Sequence, residues 1–269
     1  MVIRPLPNTD TALDLMDFIN VSVAFANRPY ASNPDYMSGF SVAPASPPPV
    51  TTKQVSRDRW RAGAWLLWRQ DGATQADAIP GGRLGGSQAG LRVDYDLMPG
   101  AKVRTAVYGR ITSAVSRPSA PESAVGLSIQ PSRAIPVNIA IERRIALDPA
   151  ARNANAVMAV GGFGPTPIAQ SIDAEGYAQT GIVGFKRKDA FIDGKFSLSK
   201  QLPSERVRIG AAISGGAQPG ASRMDIGPEI QVRLPLPQGG ARLSIEWRER
   251  IAGNARPGSG LAITLAADF

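Results

Sequence analysis

The most constraining feature of this chain is a strict two-residue alternation of apolar and polar side chains, clearest in its C-terminal segment. Leu261, Ile263, Leu265, Ala267 and Phe269 form one apolar row, and the residues between them are small or polar. Successive side chains of a β-strand point to opposite faces. The segment therefore predicts a strand with one apolar and one polar side.

The same alternation continues upstream. Segments 135–147, 223–236 and 242–251 each place apolar residues on one face and mainly charged or small residues on the other. Alternation over such lengths predicts strands rather than helices. We predict about twelve strands, with ten and fourteen left open because 153–162 and 174–200 are weakly patterned. Their expected positions are 59–70, 86–97, 102–114, 122–130, 135–147, 153–162, 174–186, 190–200, 206–214, 222–236, 241–251 and 260–269.

Alternating runs of about ten residues, with a last strand that ends on a C-terminal Phe, resemble bacterial outer-membrane β-barrels. No particular family is identified. The resemblance implies an all-β fold, an antiparallel transmembrane β-barrel in the outer membrane of a Gram-negative bacterium. It also implies that the barrel-assembly machinery reads an assembly signal at Leu261, Ile263, Leu265 and Phe269. The other implied partners are outer-membrane lipid and lipopolysaccharide, and an oligomer is left open.

Two domains are expected. Residues 59–269 form the barrel, and residues 1–58 form an N-terminal extension with a short helix at 11–26 and a proline-rich linker at 43–52. Residues 1–10 do not read as a signal peptide. We expect either that a signal has been removed or that the chain is the C-terminal piece of a longer protein. Exopolysaccharide-export proteins, in which helical repeats precede a barrel, look similar.

Turn residues predict the connections between strands. Short turns are expected at 98–101 and 237–240, and longer loops at 71–85, 115–121, 215–221 and 252–259. Two segments depart from the rule that connections on the side of the chain termini are the short ones. Segment 163–173 is expected to be long on that side, and 186–189 to be short on the other.

The composition excludes several kinds of chemistry. The chain has no histidine and no cysteine, which removes Ser-His-Asp hydrolysis, thiolate catalysis and the usual zinc sites. Ser197 and Lys200 fit an S-x-x-K motif, but that motif belongs on a helix and lacks its companions here. We therefore expect no enzyme activity, no cofactor and no metal. The chain contains no run of about 18 apolar residues, so no transmembrane helix is expected.

Charge is concentrated on the polar face of the predicted strands. The net charge is +8 and the isoelectric point about 10.2, and no recognition motif for nucleic acid is visible. Basic residues outnumber acidic ones on this face, which predicts a basic lumen that attracts anions. The predicted pore-lining residues are Arg61, Arg92, Asp94, Arg104, Tyr108, Arg110, Glu142, Arg144, Arg208, Glu229, Arg233, Glu246, Arg248 and Arg250.

The apolar face supplies candidates for the aromatic girdles of a membrane barrel. Trp60 and Trp68 lie eight positions apart on one face, as do Tyr177 and Phe185, and Trp247 is a further candidate. Eight strand residues at a tilt of about 40° rise roughly 20 Å, close to the height of the apolar band. The alternative is a soluble all-β protein that buries these rings in its core.

The expected function is a pore or export conduit that passes anionic solutes or polysaccharide without covalent chemistry. Two alternatives remain open for a barrel. One is an autotransporter-like translocator, with the helix at 11–26 threading the pore. The other is a non-conducting structural or receptor barrel that acts through loops 71–85 and 215–221.

Overall fold

The computed structural model describes residues 59–70, 86–99, 101–115, 121–132, 135–148, 153–185, 188–203, 206–235 and 240–269. The predicted extension 1–58 and the loop 71–85 lie outside these residues. The strands are β1 (Trp60–Arg69), β2 (Gln88–Asp96), β3 (Arg104–Ala114), β4 (Glu122–Gln130), β5 (Val137–Ala146), β6 (Ala154–Ala169), β7 (Ile172–Val183), β8 (Asp189–Gln201), β9 (Val207–Gln218), β10 (Ala221–Leu234), β11 (Gly240–Gly253) and β12 (Gly260–Asp268).

The described strands form one closed barrel. Each strand pairs antiparallel with its neighbours in sequence, and β1 pairs with β12 to close the sheet. Closure leaves no strand edge unpaired, which is the usual solution for an all-β structure of this size. The predictions of an all-β antiparallel barrel and of about twelve strands are confirmed.

The two faces of the sheet differ as the alternation predicts. Paired residues share a face, so Leu66, Leu265 and Leu243 lie side by side on the outer surface across β1, β12 and β11. The positions next to them turn inward, and Ala262 and Ala266 are buried. Large apolar side chains are exposed on the outside of all twelve strands. The barrel is therefore apolar outside and largely polar inside, the reverse of a water-soluble protein.

Some predicted connections are wrong. Segment 163–173 is not a loop, because β6 runs to Ala169 and β7 begins at Ile172 after a tight turn in which Ser171 has a φ of 63°. Segment 215–221 is likewise a tight turn between β9 and β10, with a φ of 84° at Gly220. Both segments are rich in glycine, alanine or proline, so their small side chains carry no alternation to reveal the strands.

The barrel has two distinguishable ends. One end, which we call the terminal end, carries Trp60 and Phe269. Two backbone hydrogen bonds of 2.8 and 3.1 Å join Phe269 to Ala62. The connections that follow even-numbered strands also lie there. The far end carries the connections that follow odd-numbered strands. The β6–β7 hairpin belongs to the terminal end and has irregular pairing near its tip.

Candidate functional site in the barrel interior

The interior of the barrel carries positive and negative charges in nearly equal number. The inward cations are Arg61, Arg69, Arg92, Arg104, Arg110, Arg144, Lys195, Arg206, Arg208, Arg223, Arg233, Arg242, Arg248 and Arg250. The inward carboxylates are Asp94, Asp96, Glu122, Glu142, Asp173, Glu175, Asp189, Asp193, Asp225, Glu229, Glu246 and Asp268. The described interior therefore keeps more basic than acidic residues, but the excess is smaller than the sequence pattern predicts. The inward carboxylates that the pattern of alternation did not reveal include Glu122, Asp173, Glu175, Asp189 and Asp193.

Glu142 is the centre of a buried ion-pair cluster on β3, β4 and β5, which we call the Glu142 cluster. Its carboxylate accepts hydrogen bonds from Arg110 at 2.7 and 3.1 Å, from Arg144 at 2.7 Å and from the Tyr108 hydroxyl at 2.9 Å. Arg110 also donates to Glu122 at 2.8 Å. These side chains are almost fully buried. Burying such charges is tolerated because each has partners.

A second pair extends this cluster onto β2. Arg92 donates two hydrogen bonds to Asp94, at 2.8 and 2.9 Å, and its guanidinium lies 3.7 Å from the centre of the Tyr108 ring. The pair is bidentate and stacked on an aromatic face, a geometry that only arginine supplies. Nearer the terminal end, Arg104 pairs with Asp96 at 3.1 Å. Asp94 and Asp96 thus neutralise arginines.

Lys195 bridges the lumen from β8 to β10 and β11. Its ammonium donates to Glu229 at 2.7 Å and to Glu246 at 2.5 Å, and Arg248 donates to the other oxygen of Glu246 at 2.8 Å. Sequence reasoning placed both glutamates and Arg248 in the lumen but missed Lys195. This lysine lies in a weakly patterned strand, where only its alternation with Ser197 and Asp193 marked it as inward.

The far end is spanned by a contact between β1 and β10. Arg69 lies 3.4 Å from Asp225, which also binds Arg223 bidentately, and Arg69 donates to the Gly258 carbonyl at 2.9 Å. Arg250 donates to the Ala255 carbonyl in the same region. Strands β11 and β12 lie between β1 and β10, so the side chains here cross part of the lumen.

The terminal end contains a cavity of about 110 Å³ that we call the basic mouth. Four arginines line it from β9, β10, β11 and the residue before β9, and Asp268 and Gln231 also line it. Pro165 of β6 completes the wall from across the barrel. The four arginines are Arg206, Arg208, Arg233 and Arg242. The sequence analysis predicted that Arg208 and Arg233 line the pore.

Two carboxylates on β7 neutralise part of the basic mouth. Arg208 pairs with Asp173 at 3.1 Å, and Arg242 donates to both oxygens of Glu175 at 2.8 and 2.9 Å. The second contact joins β7 to β11, strands that three others separate. The lumen is therefore narrow at this level.

Arg61, which was also predicted to line the pore, is half-buried. Its Nε is buried and makes no hydrogen bond in the described structure. It lies opposite Asp94 in the β1–β2 pairing.

Three of the five predicted girdle residues, Trp60, Trp68 and Trp247, are exposed on the outer surface. Phe185 is exposed in the connection that follows β7. The prediction of Tyr177 as a girdle residue is wrong, because its side chain points inward on the same face as Glu175 and hydrogen-bonds Asp193. Its strand has small residues at alternate positions, so sequence pattern did not reveal which face was apolar.

Aromatic residues also gather on the outer surface at the terminal end, and among them Tyr95, Phe163 and Phe196 were not predicted as girdle residues. The rings of Trp60 and Tyr95 lie 4.8 Å apart, and those of Phe163 and Phe196 lie 6.5 Å apart. Phe269 is exposed at the same end. In the predicted assembly signal, Leu265 is also exposed, while Leu261 and Ile263 are half-buried.

The predicted absence of enzyme chemistry stays a prediction. Ser197 points into the barrel and Lys200 points outward, so the two cannot act together. Within the described ranges, no three His, Cys, Asp or Glu side chains gather as a metal-binding group. None of the helices in the described part is long and apolar enough to cross a membrane.

Comparison with known proteins gives a likeness of fold only. No protein family matches the sequence, and no curated protein does. Among solved structures, the chain is similar to Wzi, an outer-membrane protein of Escherichia coli involved in group 1 capsule assembly and described as a carbohydrate-binding β-barrel. The identity is 8% and the TM-score 0.30, over 76% of this chain and 55% of that one, so the chain spans about half of Wzi.

It is also similar to the β domain of the Bordetella autotransporter BrkA. Here the identity is 12% and the TM-score 0.35, over 79% of this chain and 99% of that domain.

Proposed function

We propose that this chain is an outer-membrane β-barrel whose lumen is held nearly closed by interior ion pairs, and that it serves as a translocator or structural barrel rather than a wide pore. The observation that carries the proposal is the charge arrangement inside. Arg110, Arg144, Glu122 and Glu142 are at most 5% exposed, whereas residues that line an open aqueous channel stay hydrated.

The membrane location is supported by the outer surface. Leucine, isoleucine and valine side chains cover it, with exposed fractions such as 54% at Ile111 and 57% at Ile192. Monomeric soluble proteins rarely expose apolar patches of this extent. Aromatic rings lie toward both ends of the apolar surface, as in the girdles of outer-membrane barrels. Outer-membrane lipid and lipopolysaccharide are the partners this surface fits.

The test is single-channel conductance of folded protein inserted into a planar bilayer. The wild-type protein is expected to show small or brief openings. The variant Lys195→Met removes the cation that bridges Glu229 and Glu246, so it is expected to open more often and to favour cations. Lys200→Met is the matched control, because Lys200 points outward.

Two results would count against the closed lumen. One is a large, steady conductance of the wild-type protein. The other is identical conductance of Lys195→Met, Lys200→Met and the wild type, which would mean that the bridge does not restrict the lumen.

An anion or polysaccharide conduit is the second candidate, and the basic mouth favours it. A mouth lined by arginines raises the local concentration of anions and speeds their entry. In this case the openings of the wild-type protein would be anion-selective, and Arg233→Gln would reduce the selectivity. Cation-selective openings would exclude it.

The assembly role of the C-terminus is part of the proposal. Phe269 is 61% exposed at the rim while its backbone is bonded to β1, so the ring is available to a partner. Removal of Phe269 is expected to reduce the amount of folded barrel in the outer membrane of cells. Normal insertion of the shortened protein would refute this role.

A further inference from the structure

Three arginines of the basic mouth lie in one row across neighbouring strands. Arg233 faces Arg242 in the β10–β11 pairing, and its backbone nitrogen donates to the Arg206 carbonyl at 2.7 Å. Like charges directly opposite each other on a sheet are destabilising. Elsewhere in the interior, as at Glu142, arginines that crowd together share a carboxylate. In this row Arg242 pairs with Glu175, whereas Arg206 and Arg233 share no carboxylate among the described residues.

The carboxylates nearby leave part of the positive charge unbalanced. Asp173 and Glu175 are engaged by Arg208 and Arg242, and Asp268 also lines the cavity. Among the residues that the structure describes, four guanidinium groups thus face three carboxylates. Within the described residues, the side chains of Arg206 and Arg233 make no ion pair or hydrogen bond, and both are exposed to the cavity mouth.

One donor in the wall is unused although it is buried. Arg208 Nη2 lies 3.1 Å from Asp173 and donates to Gln201 at 3.2 Å. Its Nη1 is buried and makes no hydrogen bond in the described structure. A buried donor without an acceptor costs free energy. An acceptor in the cavity would remove that cost.

We propose that the basic mouth is a binding site for a doubly charged oxyanion, a phosphate or sulfate group. Planar guanidinium groups bind such groups with paired hydrogen bonds. A cavity of about 110 Å³ holds several waters, so the group fits with part of its hydration shell. The free ion and an oxyanion carried on a larger solute share this chemistry. The inference does not require the barrel to conduct.

The full chain, folded in detergent, is titrated with inorganic phosphate at constant ionic strength, and calorimetry measures the binding at equilibrium. Saturable binding is expected for the wild type. Arg206→Gln/Arg233→Gln is expected to weaken it at least about tenfold, which corresponds to 1.4 kcal/mol. Arg143→Gln is the matched control, because Arg143 lies on the outer surface bonded to Asn155, and its affinity should equal that of the wild type.

Sulfate should compete with phosphate at the same site, and acetate at matched ionic strength should compete only weakly. The site would be refuted by the absence of saturable phosphate binding or by equal affinities of the double variant and the wild type. Equal competition by acetate would refute a site for a doubly charged ion. Circular dichroism of both variants checks that they are folded. None of these outcomes depends on conductance, so failure here leaves the proposed closed barrel intact.

Discussion

The Glu142 cluster and the basic mouth are built from the same residue types and differ in how their charges are balanced. In the cluster, a carboxylate lies between two arginines, and Tyr108 donates one more hydrogen bond to it. In the mouth, Arg206, Arg233 and Arg242 are neighbours across three strands. Arginine content alone therefore does not define the function of a barrel interior.

The difference follows from position in the barrel. The cluster is deep inside, where water is excluded and an unpaired charge would be very costly. The mouth opens to solvent at the terminal end, where water screens like charges and a surplus is tolerable. A closed wall and a binding site can thus be made from the same side chains. Four substitutions test this contrast, in order of decreasing expected effect.

Glu142→Gln should have the largest effect on stability. It leaves Arg110 and Arg144 charged and buried without their shared partner, which costs about 3–5 kcal/mol of unfolding free energy. Urea unfolding in detergent micelles measures the loss. Glu249→Gln is the control, since Glu249 is exposed on the outer surface with Trp247 and Ser259 as partners. A loss below about 1 kcal/mol at Glu142 would show that the cluster is not tightly coupled.

Gly126→Ala should be the next most damaging change. A Cβ at Gly126 would lie 2.6 Å from the Tyr108 ring and 2.6 Å from the Ile141 carbonyl, so Tyr108, which donates to Glu142, must shift. Overpacking of this kind costs about 1–3 kcal/mol. Gly109→Ala is the matched control, because the nearest atom to its new Cβ is 4.0 Å away. If Gly126→Ala proved as neutral as Gly109→Ala in urea unfolding, the interior would be less tightly packed than the structure shows.

Glu175→Gln applies the same chemical change to the mouth. Arg242 loses its carboxylate but remains partly exposed, so the expected cost is about 1.5 kcal/mol, less than at Glu142. Phosphate affinity should increase, since a competing negative charge is gone. Urea unfolding and phosphate titration measure the two effects. A stability loss equal to that of Glu142→Gln would remove the distinction between the two regions.

Arg233→Gln should have the smallest effect on stability. It removes a like charge opposite Arg242, so the free energy of unfolding should rise by a few tenths of a kcal/mol at low salt. The gain should disappear at about 1 M salt, where screening acts over roughly 3 Å. Urea titrations at the two salt concentrations measure it. Destabilisation by this variant at both concentrations would mean that Arg233 has a stabilising partner.

Much of the fold could be predicted, because strand alternation is a local property. The exposed row at Leu265 and the buried row at Ala262 can be read from the order of residues alone. The prediction failed where side chains were too small to show alternation, as at 215–221. It also placed Tyr177 on the wrong face, because its neighbours Gly176 and Ala178 are small and gave no apolar row to compare with it.

The candidate site was only partly predictable. Local alternation identified Glu142 and Arg110 as inward. It missed the carboxylates Glu122 and Glu175, which bring the interior closer to charge balance, and it missed Lys195, which bridges Glu229 and Glu246.

What the order of residues determined was the barrel: strands of alternating character, an apolar outer face and an interior without histidine or cysteine. What only the tertiary structure decided was which charges meet. Glu175 and Arg242 are 67 positions apart, and Lys195 and Glu246 are 51 apart. The physical reason is that alternation acts over neighbouring residues, whereas contacts across the lumen depend on closure of the sheet and on the register of every strand pair between them.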